Sequence, residues 1–425
     1  MREYILVQGN GRNIPKEDAI FGISMRAKKM AQEKGYRAVI NGTIGALLDD
    51  DGNLLVLDSV AKVYGNMKPE EYAAYAPIGG IPQFKMALKQ AAFGSFHPEE
   101  YGLFSEAVAT PGGTGAIRNT IANYSVPGDY VLTTDWHWSP YGTIAGEIGR
   151  KIKTFETFST GAHGEFEFLV TNLMDSAKGL LSTQDTLVVV LNTPAHNPTG
   201  YSISEDTWVE IIGAFSQILS SEGYEDKAII LFIDVAYIDF AGDEGKYRDF
   251  LKVLGKGSER LLPIVGYSFS KTLTMYGMRC GGSICLAKSE EIAEEFRQAM
   301  EFSSRGSWSN SPRLPQEIVA KIYGNEELLD KVVSERKEIR DMLLERGKAF
   351  EERAMDIGLP MVPYDGGFFV SIPHENPKEV CRLLEEEGIF LVPLAKGIRV
   401  SVASVSQEQC RLIPDTILEK IKDIV

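Results

Sequence analysis

The chain has 425 residues, which is too long for one simple hydrophobic core, so we expect about two domains. Its formal net charge is −15, which argues against nucleic acids and anionic membranes as partners. Its four cysteines form no CxxC pair and no apolar run reaches membrane-spanning length, so neither a zinc site nor a membrane span is expected.

The predicted elements begin after a polar N-terminal arm, residues 1–16. Asp18 precedes an amphipathic helix that ends at Gly35, and a short strand follows near residue 40. From about residue 105, strand-like runs alternate with helical segments, which is typical of an α/β fold with a mostly parallel sheet. The seven predicted strands are residues 107–110, 130–134, 151–155, 187–191, 229–233, 263–267 and 282–286.

The last hundred residues have a different pattern. A long charged helix is predicted at 326–355, and strands are predicted near 367–372, 389–392 and 398–402. This mixture is typical of a smaller α+β domain. We therefore predict four segments, which are the arm (1–16), the N-terminal part of a small domain (17–55), a large domain (56–325) and the C-terminal part of the small domain (326–425).

A lysine at the end of a buried strand is the most unusual feature. Lys271 follows this strand with Ser268 and Ser270 beside it, and Arg279 comes eight positions later. Burying an ammonium group is costly unless its pKa falls or it becomes covalently bound. A lysine with a lowered pKa suits a Schiff base with a carbonyl cofactor. The alternative is an ordinary solvated lysine in a loop.

A glycine turn follows the first strand of the sheet. Thr110-Pro-Gly-Gly-Thr-Gly opens a helix, and the backbone N–H groups at such a helix start bind phosphate. The turn lacks the Gly-Lys-Ser/Thr of a Walker loop and the third glycine of a dinucleotide site. A phosphate site and a plain turn are both open at this point.

Three more strand ends carry polar or aromatic groups. Trp138 either stacks on a planar ligand or packs in the core. Asn197 either donates to a ring oxygen or caps the next helix, and Asn197-Pro198 suits a cis peptide bond. Asp234 ends a buried strand and needs a cationic or donor partner, and Tyr237 lies close enough to share its site.

Two arginines complete the set. Arg399 lies on an apolar strand, where it suits bidentate carboxylate binding or a structural ion pair. Arg305 lies in a stretch that we interpret as a glycine- and serine-rich loop, where a solvated arginine is the alternative. Together these residues offer a phosphate cradle, a stacking ring, a buried acid and a lysine, which match the needs of pyridoxal 5′-phosphate.

The sequence resembles the aspartate and aromatic amino-acid aminotransferases, which are fold-type I pyridoxal-phosphate enzymes. The similarity runs in order through nearly the whole chain. Its most specific stretches are Pro111-Gly-Gly-Thr-Gly-Ala, His196-Asn-Pro-Thr-Gly, Asp234-Val-Ala-Tyr and Ser268-Phe-Ser-Lys. The resemblance implies a large domain with a mostly parallel seven-stranded sheet between helices, and a smaller α+β domain.

The resemblance also implies a role for each matching residue. Lys271 is expected to form the Schiff base and move the proton, Asp234 to pair with the ring nitrogen, and Arg399 to bind the substrate α-carboxylate. The other cofactor contacts are expected from donors to the ring oxygen, a stacking ring and a phosphate shell, namely Asn197, Tyr237, Trp138, Gly113, Thr114, Ser268, Ser270 and Arg279. Tyr75 and Arg305 are expected to reach the site of a second subunit, and Gly45 to lie beside the substrate.

Departures from the family pattern bear on substrate choice. Trp308 replaces a tyrosine and Ser311 a proline in the segment after Arg305. Tyr141 stands where a histidine often backs the acid, and Gly45-Ala-Leu-Leu replaces a bulkier turn. These changes leave the expected reaction intact and affect the preference for a substrate side chain.

We therefore predict a cytoplasmic, homodimeric aminotransferase of amino-acid metabolism that needs no metal. It would move an amino group from aspartate or an aromatic amino acid to 2-oxoglutarate by a ping-pong mechanism. A β-lyase, a β-decarboxylase or a cyclising synthase on the same fold is the alternative. A non-catalytic pyridoxal-phosphate sensor is less consistent with the sequence, which offers no helix-turn-helix extension and carries a negative charge.

Overall fold

The computed structural model describes residues 19–160, 166–242 and 246–424. The predicted arm and Asp18 lie outside these residues. The strands in the described part of the chain are β1 (Ile40–Asn41), β2 (Ala107–Thr110), β3 (Tyr130–Thr134), β4 (Lys151–Phe155), β5 (Phe158–Thr160), β6 (Phe166–Phe168), β7 (Thr186–Asn192), β8 (Ala228–Asp234), β9 (Leu261–Ser268), β10 (Gly281–Cys285), β11 (Phe369–Pro373), β12 (Ile389–Phe390), β13 (Val392–Pro393) and β14 (Gly397–Ser401).

The helices surround these strands. In chain order they are α1 (Ala19–Lys34), α2 (Asp58–Gly65), α3 (Pro69–Ala73), α4 (Pro82–Phe93), α5 (Gly112–Tyr124), α6 (Pro140–Glu147), α7 (Val170–Leu181), α8 (Glu205–Ser220), α9 (Phe250–Leu254), α10 (Phe269–Thr272), α11 (Glu290–Ser307), α12 (Arg313–Tyr323), α13 (Glu326–Asp356), α14 (Pro377–Glu386) and α15 (Gln407–Lys422). The long helix expected from the charged stretch is α13.

The central sheet has seven strands in the order β2-β10-β9-β8-β7-β3-β4. β10 runs antiparallel to both β2 and β9, whereas the strands from β9 to β4 are parallel. All seven strands lie at the predicted positions to within two residues. The predicted fold class, an α/β protein with a mostly parallel seven-stranded sheet, is confirmed.

The sheet is buried on both faces, which explains its nearly continuous apolar strands. Leu187, Val189 and Leu191 of β7 pack with α4, α7, α8 and α12 on one face. Val188 and Val190 point to the other face, where they pack with α5, α6 and α11. Because side chains alternate along a strand, one apolar run supplies both layers and fixes the plane of the sheet.

A third apolar cluster belongs to the C-terminal region. β11, β14 and β13 form an antiparallel sheet that packs with α14, α15 and the end of α13. β1 joins this region from the opposite end of the sequence, since Ile40 pairs with Ile389 in a short parallel ladder. α13 links the two parts, because its Leu343 lies in the core of the central sheet and its Phe350 in the smaller cluster. The exact four-segment division stays a prediction.

Candidate active site

A cavity of about 360 Å³ lies at the carboxyl ends of β7, β8 and β9. Ligands bind at this edge in open α/β sheets. Its walls include every predicted site residue except Tyr75 and Arg305, namely Gly45, Gly113, Thr114, Trp138, Asn197, Asp234, Tyr237, Ser268, Ser270, Lys271, Arg279 and Arg399. Residues far apart in the sequence thus meet in one place.

Lys271 lies in the single turn of α10, directly after β9. The turn starts at Ser268, whose side chain accepts a hydrogen bond from the backbone N–H of Ser270. Lys271 Nζ donates to the backbone carbonyl of Gly45 at 3.0 Å. Burial, together with the positive charges of Arg279 and Arg399, lowers the pKa of Lys271 to about 7. A neutral amine, which is the nucleophilic form, is therefore accessible near neutral pH.

Asp234 is the last residue of β8 and is buried. Its Oδ2 accepts a 2.7 Å hydrogen bond from the hydroxyl of Tyr141, and its Oδ1 accepts a longer one from the backbone N–H of Ala236 at 3.3 Å. Burial raises the pKa of Asp234 to about 6, while the Tyr141 donor opposes this rise. The arrangement leaves Oδ1 the more weakly bonded oxygen, suited to a cationic N–H from a ligand.

Arg399 reaches the cavity from β14 and is buried. Its two terminal nitrogens donate to the backbone carbonyl of Thr43 at 2.8 Å and to Asn197 Oδ1 at 3.2 Å, and its guanidinium lies over the ring of Phe369. Its Nε has no hydrogen-bond partner among the described residues. Burial lowers the pKa of Arg399 to about 10 and leaves it cationic at neutral pH. A buried cation with an unsatisfied N–H fits an incoming carboxylate.

Asn197 connects Arg399 to the acid. Its side-chain nitrogen donates to the Tyr237 hydroxyl at 3.4 Å, and its backbone N–H donates to Asn192 Oδ1. Asn192 in turn donates to the backbone carbonyl of Asp234 at 2.7 Å. The amide and the phenol are therefore held side by side at the cavity wall, where both can donate to one ligand oxygen.

The phosphate-binding end is formed by the start of α5 and by Arg279. Gly112 has a φ of +74°, and a Cβ atom there would lie 2.5 Å from Arg279 Nη2. A side chain at residue 112 would separate the first turn of α5 from the guanidinium, so this position requires glycine. Arg279 Nη1 also donates to Ser270 Oγ at 3.2 Å. Helix N–H groups, an arginine and hydroxyls together fit a phosphate monoester.

Two predicted residues lie outside this cavity. The Tyr75 side chain is 89% exposed, so it does not contribute to the site of its own chain. Arg305 is also exposed, and its predicted loop is wrong because it lies in the last turn of α11. The helix continues there since Ser303 and Ser304 hydrogen-bond to Asn123 and Asn119 of α5. Arg305 Nη1 donates to Ser309 Oγ at 2.6 Å.

A second correction concerns the cis peptide bond. It lies at Thr193-Pro194 and not at Asn197-Pro198. The segment around Asn197 instead forms a turn closed by the N–H of Gly200, which donates to the carbonyl of His196.

Some functional positions were missed by the sequence reasoning. Tyr276 and Phe369 line the cavity, and Asn192 braces the strand end of Asp234. Tyr276 lies between Lys271 and Arg279 in the most specific stretch, but its residue type gave no indication of a contact with the lysine. Phe369 gave no signal either, because its ring is one of several in an ordinary apolar strand.

Other kinds of site have no support in the described part of the chain. Residues 19–160, 166–242 and 246–424 contain no cluster of three or more potential metal ligands among His, Cys, Asp and Glu. Within the same ranges, no helix is long and apolar enough to cross a membrane. All four cysteines are free and buried, and burial raises the pKa of the Cys280 thiol, which argues against a reactive thiolate.

The lysine, the acid and the start of α5 together fit the needs of pyridoxal phosphate. The family model for aminotransferase class I and II matches residues 37–417, so the chain belongs to that family. The protein is therefore a pyridoxal-phosphate-dependent enzyme that transfers amino groups.

Named relatives agree with this assignment. The chain is 26% identical to an aromatic-amino-acid aminotransferase of Escherichia coli, over 86% of this chain and 89% of the relative. It is also 26% identical to an aspartate aminotransferase of Salmonella typhi, over 87% and 90%. A crystal structure of an aminotransferase from Anaerococcus prevotii has a TM-score of 0.92 at 33% identity, covering 98% of this chain and all of that one. Another structure, an aromatic-amino-acid aminotransferase from Burkholderia pseudomallei covalently bound to pyridoxal phosphate, shares the fold at a TM-score of 0.79 and 19% identity, covering 99% and 100%.

Replacing Tyr141 with phenylalanine should change the pH dependence of cofactor binding. The Tyr141 hydroxyl stabilises the ionised form of Asp234, so its loss should raise the pKa of Asp234 above the present value of about 6. The acid would then be more fully protonated at pH 6 and unable to pair with a cationic ring nitrogen. We expect binding of pyridoxal phosphate to weaken roughly tenfold at pH 6 and little at pH 9. Fluorescence titration of cofactor-free protein measures the affinity for pyridoxal phosphate at each pH. An equal loss of affinity at both pH values would contradict the role of the hydrogen bond.

Proposed function

We propose that the enzyme takes its amino group from aspartate or an aromatic amino acid and passes it to 2-oxoglutarate. The observation that carries this proposal is Arg399, a buried arginine with an unsatisfied N–H at the same cavity as Lys271 and Asp234. Such a group recognises the α-carboxylate that all amino acids and 2-oxo acids share. The names of the relatives support the two classes of donor.

The described side chains have separate tasks in this proposal. Pyridoxal phosphate, when bound, supplies the carbonyl group that exchanges for the amine and the ring that accepts electrons. Lys271 binds the cofactor and carries a proton at Nζ, and its pKa near 7 suits both proton states. Asp234 holds a proton on the ring nitrogen, while Asn197 and Tyr237 donate to the ring oxygen. Arg399 orients the substrate.

Part of the cavity wall is apolar. Ile20 and Phe21 of α1 line it together with Ile44 and Ala46. These groups suit an aromatic side chain. The cationic residues that line the cavity in the described part of the chain are Lys271, Arg279 and Arg399, and each already has a proposed role. A second carboxylate, such as that of aspartate or 2-oxoglutarate, therefore needs a cation from elsewhere.

A second copy of the chain would supply that cation. We propose a homodimer in which Arg305 reaches the partner's substrate and Tyr75 reaches the partner's phosphate. Both side chains are exposed, so each is able to reach a second copy of the chain. We also propose a cytoplasmic enzyme of amino-acid biosynthesis, consistent with four free cysteines.

Replacing Arg305 with leucine should impair aspartate selectively. Loss of a charge-assisted contact to the distal carboxylate should lower kcat/KM for aspartate by about 10- to 100-fold. Phenylalanine has no such carboxylate, so its kcat/KM should change less than about threefold. The measurement is the half-reaction with each donor, with tyrosine and alanine completing the panel. Arg411→Leu, which removes an exposed arginine from α15, is the control for surface charge.

Equal loss for aspartate and phenylalanine would contradict the distal-carboxylate role of Arg305. The same panel separates amino transfer from other reactions on this fold. Amino transfer releases one oxo acid per site without an acceptor, and it continues beyond that single turnover only when 2-oxoglutarate is present. Release of ammonia without an acceptor would instead indicate a β-lyase.

A further inference from the structure

Tyr276 forms one side of the space around the Lys271 amine. It starts a 3₁₀ turn, Tyr276–Met278, five residues after the lysine. Lys271 Nζ lies 4.7 Å from the centre of the Tyr276 ring, whereas the rings of Tyr237 and Phe368 are both 5.9 Å away. The closest aromatic face to this cation thus belongs to a residue with no role so far.

The hydroxyl of Tyr276 contacts the backbone close to Gly45, which also borders the Lys271 amine. It accepts a 3.1 Å hydrogen bond from the backbone N–H of Leu47. Leu47 is fully buried and lies two residues after Gly45, whose carbonyl accepts the hydrogen bond from Lys271. A Cβ atom on Gly45 would lie 2.9 Å from the Phe369 ring, so a larger residue would displace this carbonyl. One tyrosine therefore contacts the lysine and also binds the segment that accepts the lysine's hydrogen bond.

The backbone of Tyr276 makes a third link. Its carbonyl accepts a 2.9 Å hydrogen bond from Arg279 Nη1. The residue thereby connects the amine to the arginine of the phosphate-binding end. A change in the position of Tyr276 would therefore affect both the Lys271 amine and Arg279.

The surroundings of Lys271 mostly disfavour its protonated form. Burial, Arg279 and Arg399 all disfavour the protonated amine, and Asp234 favours it. Tyr237 and Tyr276 also face the amine, and burial raises the pKa of both phenols, so they are neutral at physiological pH. The electron-rich face of a neutral phenol attracts a cation. The face of Tyr276, which is the nearest of the three rings, and the Gly45 carbonyl thus stabilise the ammonium form by direct contact.

We propose that Tyr276 is a positioning residue for Lys271. Its ring face and the Gly45 carbonyl stabilise the protonated form of the free amine, and they oppose the burial and the two arginines that disfavour that form. The proton is then kept at one defined place beside the substrate. This inference rests on the proposed role of Lys271 and does not depend on which amino acid is the donor.

A matched pair of ring variants tests the proposal. Tyr276→Phe and Tyr276→3,4,5-trifluorophenylalanine both lack the bond to Leu47 and have nearly the same shape, but fluorination weakens the negative face. The full-length enzyme is loaded with pyridoxamine 5′-phosphate, which leaves the Lys271 amine free. Acetylation by acetic anhydride is followed as a function of pH, and mass spectrometry quantifies the peptide that contains Lys271. The exposed Lys28 is the internal reference.

The fluorinated variant should lose its Lys271 proton more readily than the phenylalanine variant. We expect its acetylation midpoint to lie about 0.5–1 pH unit lower, with no change at Lys28. Equal midpoints for the pair would overturn the role of the ring face. Because no amino-acid donor is present, a wrong substrate assignment cannot cause that result.

Discussion

Lys271→Ala should abolish amino transfer while leaving the fold intact. In the proposed mechanism this residue supplies both the covalent attachment of the cofactor and the amine that carries the proton, so its loss removes both tasks at once. We expect kcat to fall roughly 10⁴-fold, and the visible absorbance band of the lysine-bound cofactor to disappear. The phosphate-binding groups at Gly113, Ser270 and Arg279 remain in place, so the variant should still bind pyridoxal phosphate without a covalent bond.

The matched control is Lys256→Ala, which removes an exposed lysine from the same region of the chain. It should keep the absorbance band and at least about half of the activity, as surface substitutions usually do. A visible band of normal intensity in Lys271→Ala protein would disprove the assignment, because another residue would then bind the cofactor.

Asp234→Asn should have the second largest effect. The variant keeps the shape of the side chain and removes the negative charge that would stabilise a protonated ring nitrogen. Because Asp234 is buried, no water can replace this charge, and the loss of such a buried partner corresponds to about a 10³-fold decrease in kcat. Measuring the half-reaction with one amino acid at saturating cofactor separates this effect from weaker cofactor binding.

Asp226→Asn is a suitable control, since Asp226 is exposed in the turn before β8 and its charge is solvated. It should leave kcat within about twofold of the unmodified enzyme. If Asp234→Asn behaved in the same way, the acid would have no part in holding the ring nitrogen. The Tyr141 hydroxyl would then serve only to satisfy a buried carboxylate.

The central sheet was predictable because of its burial. Strands such as β7 and β8 have both faces covered, so their sequences are almost wholly apolar and are bounded by polar turns. Two residues of the candidate site were predictable from the same apolar runs. Asp234 and Lys271 are conspicuous because each places a charged group at the end of a run of apolar residues, where solvation is poor.

Features that depend on contacts between distant residues were not predictable. The last turn of α11 has the composition of a loop, and hydrogen bonds from α5 help to hold it as a helix. Tyr276 carries no charge and lies in a stretch already rich in candidates. Its importance depends on the distance to Lys271 Nζ and on its bond to Leu47, which no local pattern encodes.

The pairing of β1 with β12 has a consequence for synthesis on the ribosome. Residues from Gly113 to Arg279, which include the proposed cofactor contacts, emerge before the strand partners of the Ile40 segment exist. Gly42 is held by hydrogen bonds to Phe390 and Ser401, so Gly45 and Arg399 can meet only after residues 389–401 have been made. In the proposed site, the residues assigned to the cofactor are therefore made before those that complete the substrate side, so a product truncated before residue 389 should be unable to process amino acids.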